Sequence, residues 1–274
     1  MVCQALTPTS DQFNLSDQRS YRSLIVDDYN KIMYCSISKV GCTTFKTMMY
    51  LRRDPSLEGS LQFRRLHTGA FLRQHGLRPL SSYHPAEVDE RLRTYVKLLV
   101  VRHPLERLIS AYRDKFVESN YGEKKAIRGN ITGITGPVGV LNITSFLTLL
   151  TEAIKTQSTD VINYRDRHWD KQHTTCHPCF IRYDYIAKLE TIDSDMEYIL
   201  KFFNQTRVPH RNNSPNRRFK DSAISVGELL NALSLDVIEV LKEYYQYDFD
   251  LFSYRFNMTR NSHGLYVETG QGMC

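Results

Sequence analysis

Within its 274 residues the sequence holds no run of about eighteen apolar residues, which excludes a membrane-spanning helix in this stretch. Its first residues, MVCQALTPTSDQF, lack the basic start and apolar stretch of a secretory leader. Internal repeats are missing too. Of six cysteines only Cys176 and Cys179 form a Cys-x-x-Cys, and the second ligand pair of a structural zinc site is absent. His173 and His177 lie nearby and leave zinc open there, but a local disulfide is the simpler reading in an oxidising compartment. Redox catalysis would need a thioredoxin-like βαβ setting, which the flanking sequence does not supply. Finally, no glycine-rich loop is followed by a lysine, as the nucleoside-triphosphate P-loop GxxxxGK[ST] demands.

What is present begins with charge and sequons. A net charge of +6 and a pI near 8.9 suit an anionic ligand without identifying one. The basic residues are scattered and no recognition module is visible, so nucleic acid is not an expected partner. Six of the 13 asparagines begin an N-x-[ST] sequon: Asn14, Asn130, Asn142, Asn204, Asn212 and Asn257. Chance would give about two at this Ser and Thr content. The excess points to the secretory pathway, and hence to a targeting segment preceding this sequence.

Periodicity outlines an α/β chain. Residues 24–38 predict two short strands around the turn Asp27-Asp28-Tyr29-Asn30. A helix over 43–53 follows, stopped by Asp54-Pro55. A loop from 77 leads to a helix at 85–95, with Pro85 in its first turn, acids early and arginines late. VKLLVV at 96–101 is the continuous apolar run of a strand buried on both faces. In the next helix Leu105, Leu108, Ile109, Tyr112 and Phe116 make one core-facing stripe. Residues 120–143 read as a long loop insertion. Helices are expected at 144–156, 193–204 and 225–245, with 207–221 irregular. Strands alternating with helices predict a central, mainly parallel sheet flanked by helices.

Two strand-to-helix switches carry matching chemistry, and a parallel sheet binds ligands at the carboxyl ends of its strands. The first reads Ser38-Lys39-Val40-Gly41-Cys42-Thr43-Thr44. Lys39 supplies a point charge, Gly41 lets the backbone approach, and the helix start offers N–H groups and threonine hydroxyls. The second is Arg102-His103-Pro104-Leu105-Glu106-Arg107-Leu108-Ile109-Ser110, with Arg102 where the strand stops and Ser110 two helical turns on. Taken singly, Lys39 reads as a surface lysine and Arg102 as a partner for Glu106. Taken together, they favour a nucleotide bearing separate phosphate groups.

These segments resemble the two co-substrate signatures of sulfotransferases. The longer stretches LIVDDYNKIMYCSISKVGCTTFK and LSSYHPAEVDERLRTYVKLLVVRHPLERLISAYRDKF resemble the Golgi carbohydrate sulfotransferase family, in particular its chondroitin/dermatan 4-O- and natural-killer-epitope group. RHWDKQHTTCHPCFIRYDYIAKLET and EYYQYDFDLFSYRF extend the similarity to roughly residues 20–256. One departure is Ser38, where the family loop usually has proline. The resemblance implies a P-loop-like sulfotransferase fold, with a single domain over 21–260, a stem remnant at 1–20 and an irregular tail at 261–274. It also implies a type II Golgi protein, facing the lumen, whose membrane anchor precedes this sequence.

The implied reaction moves a sulfuryl group from 3′-phosphoadenosine 5′-phosphosulfate to a sugar hydroxyl, with no metal expected. Lys39 would bind the 5′-phosphosulfate, Arg102 and Ser110 the 3′-phosphate, and Arg217 or Arg218 would close over that phosphate. His67 is preferred as the base over His168, because related enzymes keep theirs between the two signatures; His103 reads as structural beside Pro104. The expected acceptor is a glycosaminoglycan or a glycoprotein glycan, first of all C4 of N-acetylgalactosamine in chondroitin or dermatan. Glucuronic acid C3, terminal N-acetylgalactosamine of N-glycans, and a non-catalytic glycan-binding homologue are the alternatives. Arg64, Arg65, Arg73, Arg113, Lys115 and Arg167 are candidates for a cationic acceptor groove. A nucleotide kinase is the competing enzyme class, but its Walker lysine and magnesium aspartate are missing.

Overall fold

The computed structural model describes residues 3, 17–62, 65–117, 142–160, 162–209, 225–256, 258–260 and 266–268. Its strands are β1 (Leu24–Asp27), β2 (Ile32–Cys35), β3 (Leu77–Pro79), β4 (Val96–Val101), β5 (Tyr185–Lys188), β6 (Met258–Arg260) and β7 (Tyr266–Glu268). Its first five α-helices are α1 (Cys42–Arg53), α2 (Gly69–Gln74), α3 (Pro85–Thr94), α4 (Pro104–Tyr112) and α5 (Ile143–Thr156). They are followed by α6 (Gln172–Cys176), α7 (Met196–Phe202), α8 (Val226–Asn231), α9 (Leu235–Tyr244) and α10 (Gln246–Leu251). None of the described helices is long and apolar enough to cross a membrane. The chain forms two compact units, Met1–His103 with Gln172–Ser214, and Pro104–Lys171 with Pro215–Cys274.

The first unit is built on a five-stranded sheet in the order β3-β1-β2-β4-β5. β1 pairs antiparallel with β2 and β3, whereas β2, β4 and β5 run parallel. The hairpin between β1 and β2 follows from Asp27, whose carboxylate accepts from the N–H groups of Tyr29 and Asn30 (3.0 and 3.2 Å) and so closes the turn. Every residue of β1 and β2 is buried, as are Lys97–Val101 of β4, the pattern of interior strands covered on both faces. Tyr34 of β2 packs its ring against Phe45 of α1 and Phe203, with centroids 5.6 and 6.5 Å away. That aromatic contact seats α1 on the sheet. A capping box between His84 and Glu87 starts α3, which the sequence places correctly.

Four strands went unforeseen, among them the hairpin of β6 and β7, whose second strand lies in the expected irregular tail. β3 has three residues, and β5 is an edge strand whose Ile186 is exposed, so neither carries a clear buried pattern. β5 is held instead by a reciprocal pairing at its start: Lys97 N–H donates to the Asp184 carboxylate (2.8 Å), and Asp184 N–H to the Lys97 carbonyl (3.0 Å).

The expected local disulfide within Cys176-His-Pro-Cys179 is overturned. Cys176 is bonded to Cys35 and Cys179 to Cys3, partners 141 and 176 residues away. Cys35 is buried at the end of β2 with its Cα 6.0 Å from that of Cys176, within the span a disulfide bridges. His177, at φ 47°, turns the chain between the two cysteines. Both Cys-x-x-Cys thiols are thus consumed. Among the described residues no group of three or more His, Cys, Asp or Glu is placed to hold a metal.

The second unit is helical around one apolar core. The expected stripe Leu105, Leu108, Ile109, Tyr112 and Phe116 is buried, packed with Phe146, Leu150 and Trp169 among others. A single π-turn, Arg113–Val117, carries the chain on from α4. The predicted helix over 225–245 is two helices. Ala232 closes α8, and Ser234, in an extended conformation (ψ 155°), precedes α9. The expected insertion at 120–143 falls mostly outside the described residues, as do Asn14, Asn130, Asn212 and Asn257. Asn142 and Asn204 are described and exposed.

Candidate active site

In the first unit all three parallel strands end at one edge, and each hands over to a polar segment there. β2 runs into Ser38-Lys39-Val40-Gly41 and then α1. Lys39 and Gly41 both take left-handed backbone, with φ of 70° and 81°. Val40 between them is fully buried and pins the turn. Gly41 is the N-cap of α1 and brings no side chain to that end, and with Thr44 N–H donating to the Gly41 carbonyl (2.9 Å) the N–H groups of Cys42 and Thr43 are the ones placed for a ligand. A Cβ on Gly41 would sit 3.4 Å from Leu189 and from Phe45, in addition to the strain of its φ. Ser38, Lys39, Cys42, Thr43 and Thr44 are half-buried around this turn.

Arg102 follows β4. The buried side chain of Gln172 accepts from Arg102 N–H (2.9 Å) and donates to the Arg102 carbonyl (2.8 Å), pairing with it as a strand would. From this fixed backbone the guanidinium donates to the Lys39 carbonyl at 3.4 Å. The two sequence signatures therefore meet. Glu190, just past β5, accepts from His103 N–H at 2.7 Å and ties the third strand end to the second.

His67 also joins this group. It ends a short 3-10 turn, Arg65–His67, whose Leu66 carbonyl accepts from the buried Tyr50 hydroxyl (3.4 Å). Its Nε2 lies 3.2 Å from Thr43 Oγ1, and its Nδ1 lies 3.2 Å from Lys46 Nζ. Thr43 and Lys46 are three apart on α1 and share one face. Thr43, an expected donor-binding residue, is thus the neighbour of an expected catalytic one.

The remaining candidates belong to the second unit. Pro104, Leu105, Leu108 and Ile109 are core residues. Arg107 is 1% exposed, and its guanidinium donates to the carbonyls of Asp170 (2.7 Å) and Arg167 (3.2 Å). These five side chains are turned into the protein, which leaves Glu106 and Ser110, both half-buried, as the outward residues of that stretch. The Arg-His-Trp-Asp segment is held in the same unit. Trp169 donates to the Asn163 carbonyl, and Tyr244 to the Asp170 carboxylate. His168 Nδ1 lies 2.6 Å from Asp166 Oδ1. Burial pushes the His168 pKa below its ordinary value, with Lys115 and Arg167 acting the same way and Asp166 opposing them.

Arg65, Arg73 and Arg167 are exposed, Arg113 is half-buried, and Lys115 pairs with Asp114 (2.9 Å). Arg64, Arg217 and Arg218 lie outside the described residues. Sequence reasoning missed Lys46, Gln172 and Glu190. Only Lys46 carried a signal, its i+3 spacing from Thr43.

The geometry defines a class first: an α/β protein whose parallel strand ends gather a left-handed lysine turn, a helix start capped only by glycine, and an arginine, groups whose chemistry suits a phosphate or sulfate. The sequence profile of the sulfotransferase family matches residues 22–255, and the chain belongs to that family as a sulfotransferase. Carbohydrate sulfotransferase 11 of Rattus norvegicus is 29% identical over 267 residues, covering 92% of this chain and 73% of that protein. Carbohydrate sulfotransferase 9 of Homo sapiens is 29% identical over 245 residues, covering 84% of this chain and 53% of that protein. Carbohydrate sulfotransferase 8 of Homo sapiens is 31% identical over 215 residues, covering 74% and 46%. No solved structure matches the chain. Family membership implies 3′-phosphoadenosine 5′-phosphosulfate as the sulfate donor.

Proposed function

We propose that the protein transfers the sulfuryl group of 3′-phosphoadenosine 5′-phosphosulfate to a sugar hydroxyl, C4 of N-acetylgalactosamine in chondroitin or dermatan, in the Golgi lumen. The observation that carries the reading is the contact between Arg102 and the Lys39 carbonyl, which brings two cationic donor signatures to one edge of the sheet. A sugar acceptor is supported by relatives named carbohydrate sulfotransferases, and the choice of C4 by resemblance to the 4-O group. Two disulfides and the sequon excess suit an oxidising lumen.

In this reaction the acceptor oxygen forms a new bond to sulfur, the bond from sulfur to the 5′-phosphate oxygen breaks, and its electron pair stays on that phosphate. Lys39 and the α1 N–H groups take up the charge left there. Arg102 holds the 3′-phosphate, a role that the sequence signature gives to Ser110 as well. Gly41 fits such a ligand because its bare Cα and left-handed φ leave the backbone approachable. The acceptor proton passes to a histidine. His168 has the ring chemistry for this: ionised Asp166 takes the Nδ1 hydrogen, which leaves the lone pair on Nε2, and burial keeps the ring neutral.

Transfer of labelled sulfate to a panel of desulfated glycans, with linkage analysis of the product, tests the reading. Sulfate at C4 of N-acetylgalactosamine in chondroitin or dermatan is expected. Product at glucuronic acid C3, or only on terminal N-acetylgalactosamine of N-glycans, would replace the acceptor. Glycan binding without donor binding would make the protein a non-catalytic homologue.

A further inference from the structure

We propose that Lys46 fixes His67 as a hydrogen-bond donor at the rim of the donor cradle, so that His67 steadies the transferring sulfuryl group and does not take the acceptor's proton. The inference rests on the sulfotransferase reading for its consequence, but on ring geometry for its premise.

Lys46 is 8% exposed, and it points its Nζ at His67 Nδ1 from 3.2 Å. An ammonium has three donors and no acceptor, so Nδ1 must offer its lone pair. A neutral imidazole then carries its one hydrogen on Nε2. That hydrogen is directed at Thr43 Oγ1, 3.2 Å away, on the second residue of α1. Protonating Nδ1 would break the contact and set a second cation against a buried ammonium. The free lone pair that a base needs is therefore denied to His67, although the ring itself is exposed. What remains is a neutral N–H given to Thr43 Oγ1, which leaves that hydroxyl's own hydrogen for the cradle. A donor pair fixed in this way stabilises oxygens that gain charge as a group is transferred. Lys46 acts through His67 and is a positioning residue.

The tautomer is read directly by long-range 1H–15N correlation on 15N-histidine-labelled protein at neutral pH, with His67 assigned by its loss in His67→Gln. The expected pattern is a neutral ring protonated at Nε2, lost in Lys46→Met and kept in Lys46→Arg. A ring protonated at Nδ1, an imidazolium, or a pattern unchanged in Lys46→Met would overturn the proposal. Sulfate transfer gives a second reading. His67→Gln keeps an N–H donor but no base, so it is expected within about tenfold of wild type, while His67→Ala falls by about a hundredfold. Equal inactivity of the two variants would overturn the donor role. Titration of wild type with 3′-phosphoadenosine 5′-phosphate separates the two failures. No binding there sinks the sulfotransferase reading, whereas the tautomer is measured without any nucleotide.

Discussion

Gln172 holds Arg102 at both ends of its amide, accepting from the backbone N–H at 2.9 Å and donating to the carbonyl at 2.8 Å. A side chain thus does at the end of β4 what a neighbouring strand does along it. The guanidinium that reaches the Lys39 carbonyl is aimed from a backbone that cannot easily turn.

Replacing Gln172 by alanine removes both of these hydrogen bonds, at a cost of about 1 to 3 kcal/mol. Urea unfolding should show that loss, and calorimetry should show weakened binding of 3′-phosphoadenosine 5′-phosphate. Unchanged stability and affinity together would mean that the clamp does not position Arg102.

The disulfide between Cys35 and Cys176 joins the strand that feeds the lysine turn to the helix that begins with Gln172. Closing a loop that long restricts the unfolded chain by about 4 to 5 kcal/mol in the chain-entropy account. The double variant Cys35→Ala, Cys176→Ala should therefore unfold at markedly lower urea and bind the nucleotide less tightly. Equal midpoints would contradict the role given to this bond.

How much of this was legible is best seen at particular residues. VKLLVV announced β4 because an interior strand needs apolar residues on both faces, and Asp27 announced the hairpin because its carboxylate closes a turn locally. The lysine turn and Arg102 were legible as strand-to-helix switches. By contrast, β5, Gln172, Glu190 and the disulfide partners depend on contacts across 60 to 180 residues or so, and no local pattern encodes these. The ring environments that part His67 from His168 belong to the same group, since they follow from what each nitrogen faces.

Gly41→Ala places a Cβ at φ 81° and 3.4 Å from Leu189 and Phe45. A left-handed alanine costs about 1 to 2 kcal/mol, and relief of that strain would tilt the turn. The expected outcome is a modest fall in melting temperature with a larger fall in donor affinity. Retained affinity would show that the turn's backbone is not part of the cradle.

Asp28 sets an acid limit on stability. Burial raises its pKa, but hydrogen bonds from Arg91, Tyr83 and Tyr95 outweigh that and hold it below 3.8. A carboxylate lowered in the folded state stabilises above its unfolded pKa, and that contribution is lost as pH falls through the folded value. The stability gap between wild type and Asp28→Asn should therefore narrow below about pH 4. A gap independent of pH would contradict the ionised assignment.

For His168 the sign is opposite. Its folded pKa lies below 6.5, so the ring stays neutral into mild acid, and the acid limb of kcat/KM should fall below pH 6.5. Asp166→Asn removes the group that opposes the lowering, so the limb should move further down while kcat drops. A limb that ignored both Asp166→Asn and His168→Gln would assign the base elsewhere.

The most direct test is sulfate transfer from labelled 3′-phosphoadenosine 5′-phosphosulfate to desulfated chondroitin by wild type and Lys39→Ala. The expected result is robust transfer by wild type and a loss of at least a hundredfold in the variant, with the fold intact. Full activity in Lys39→Ala would contradict the account at its centre.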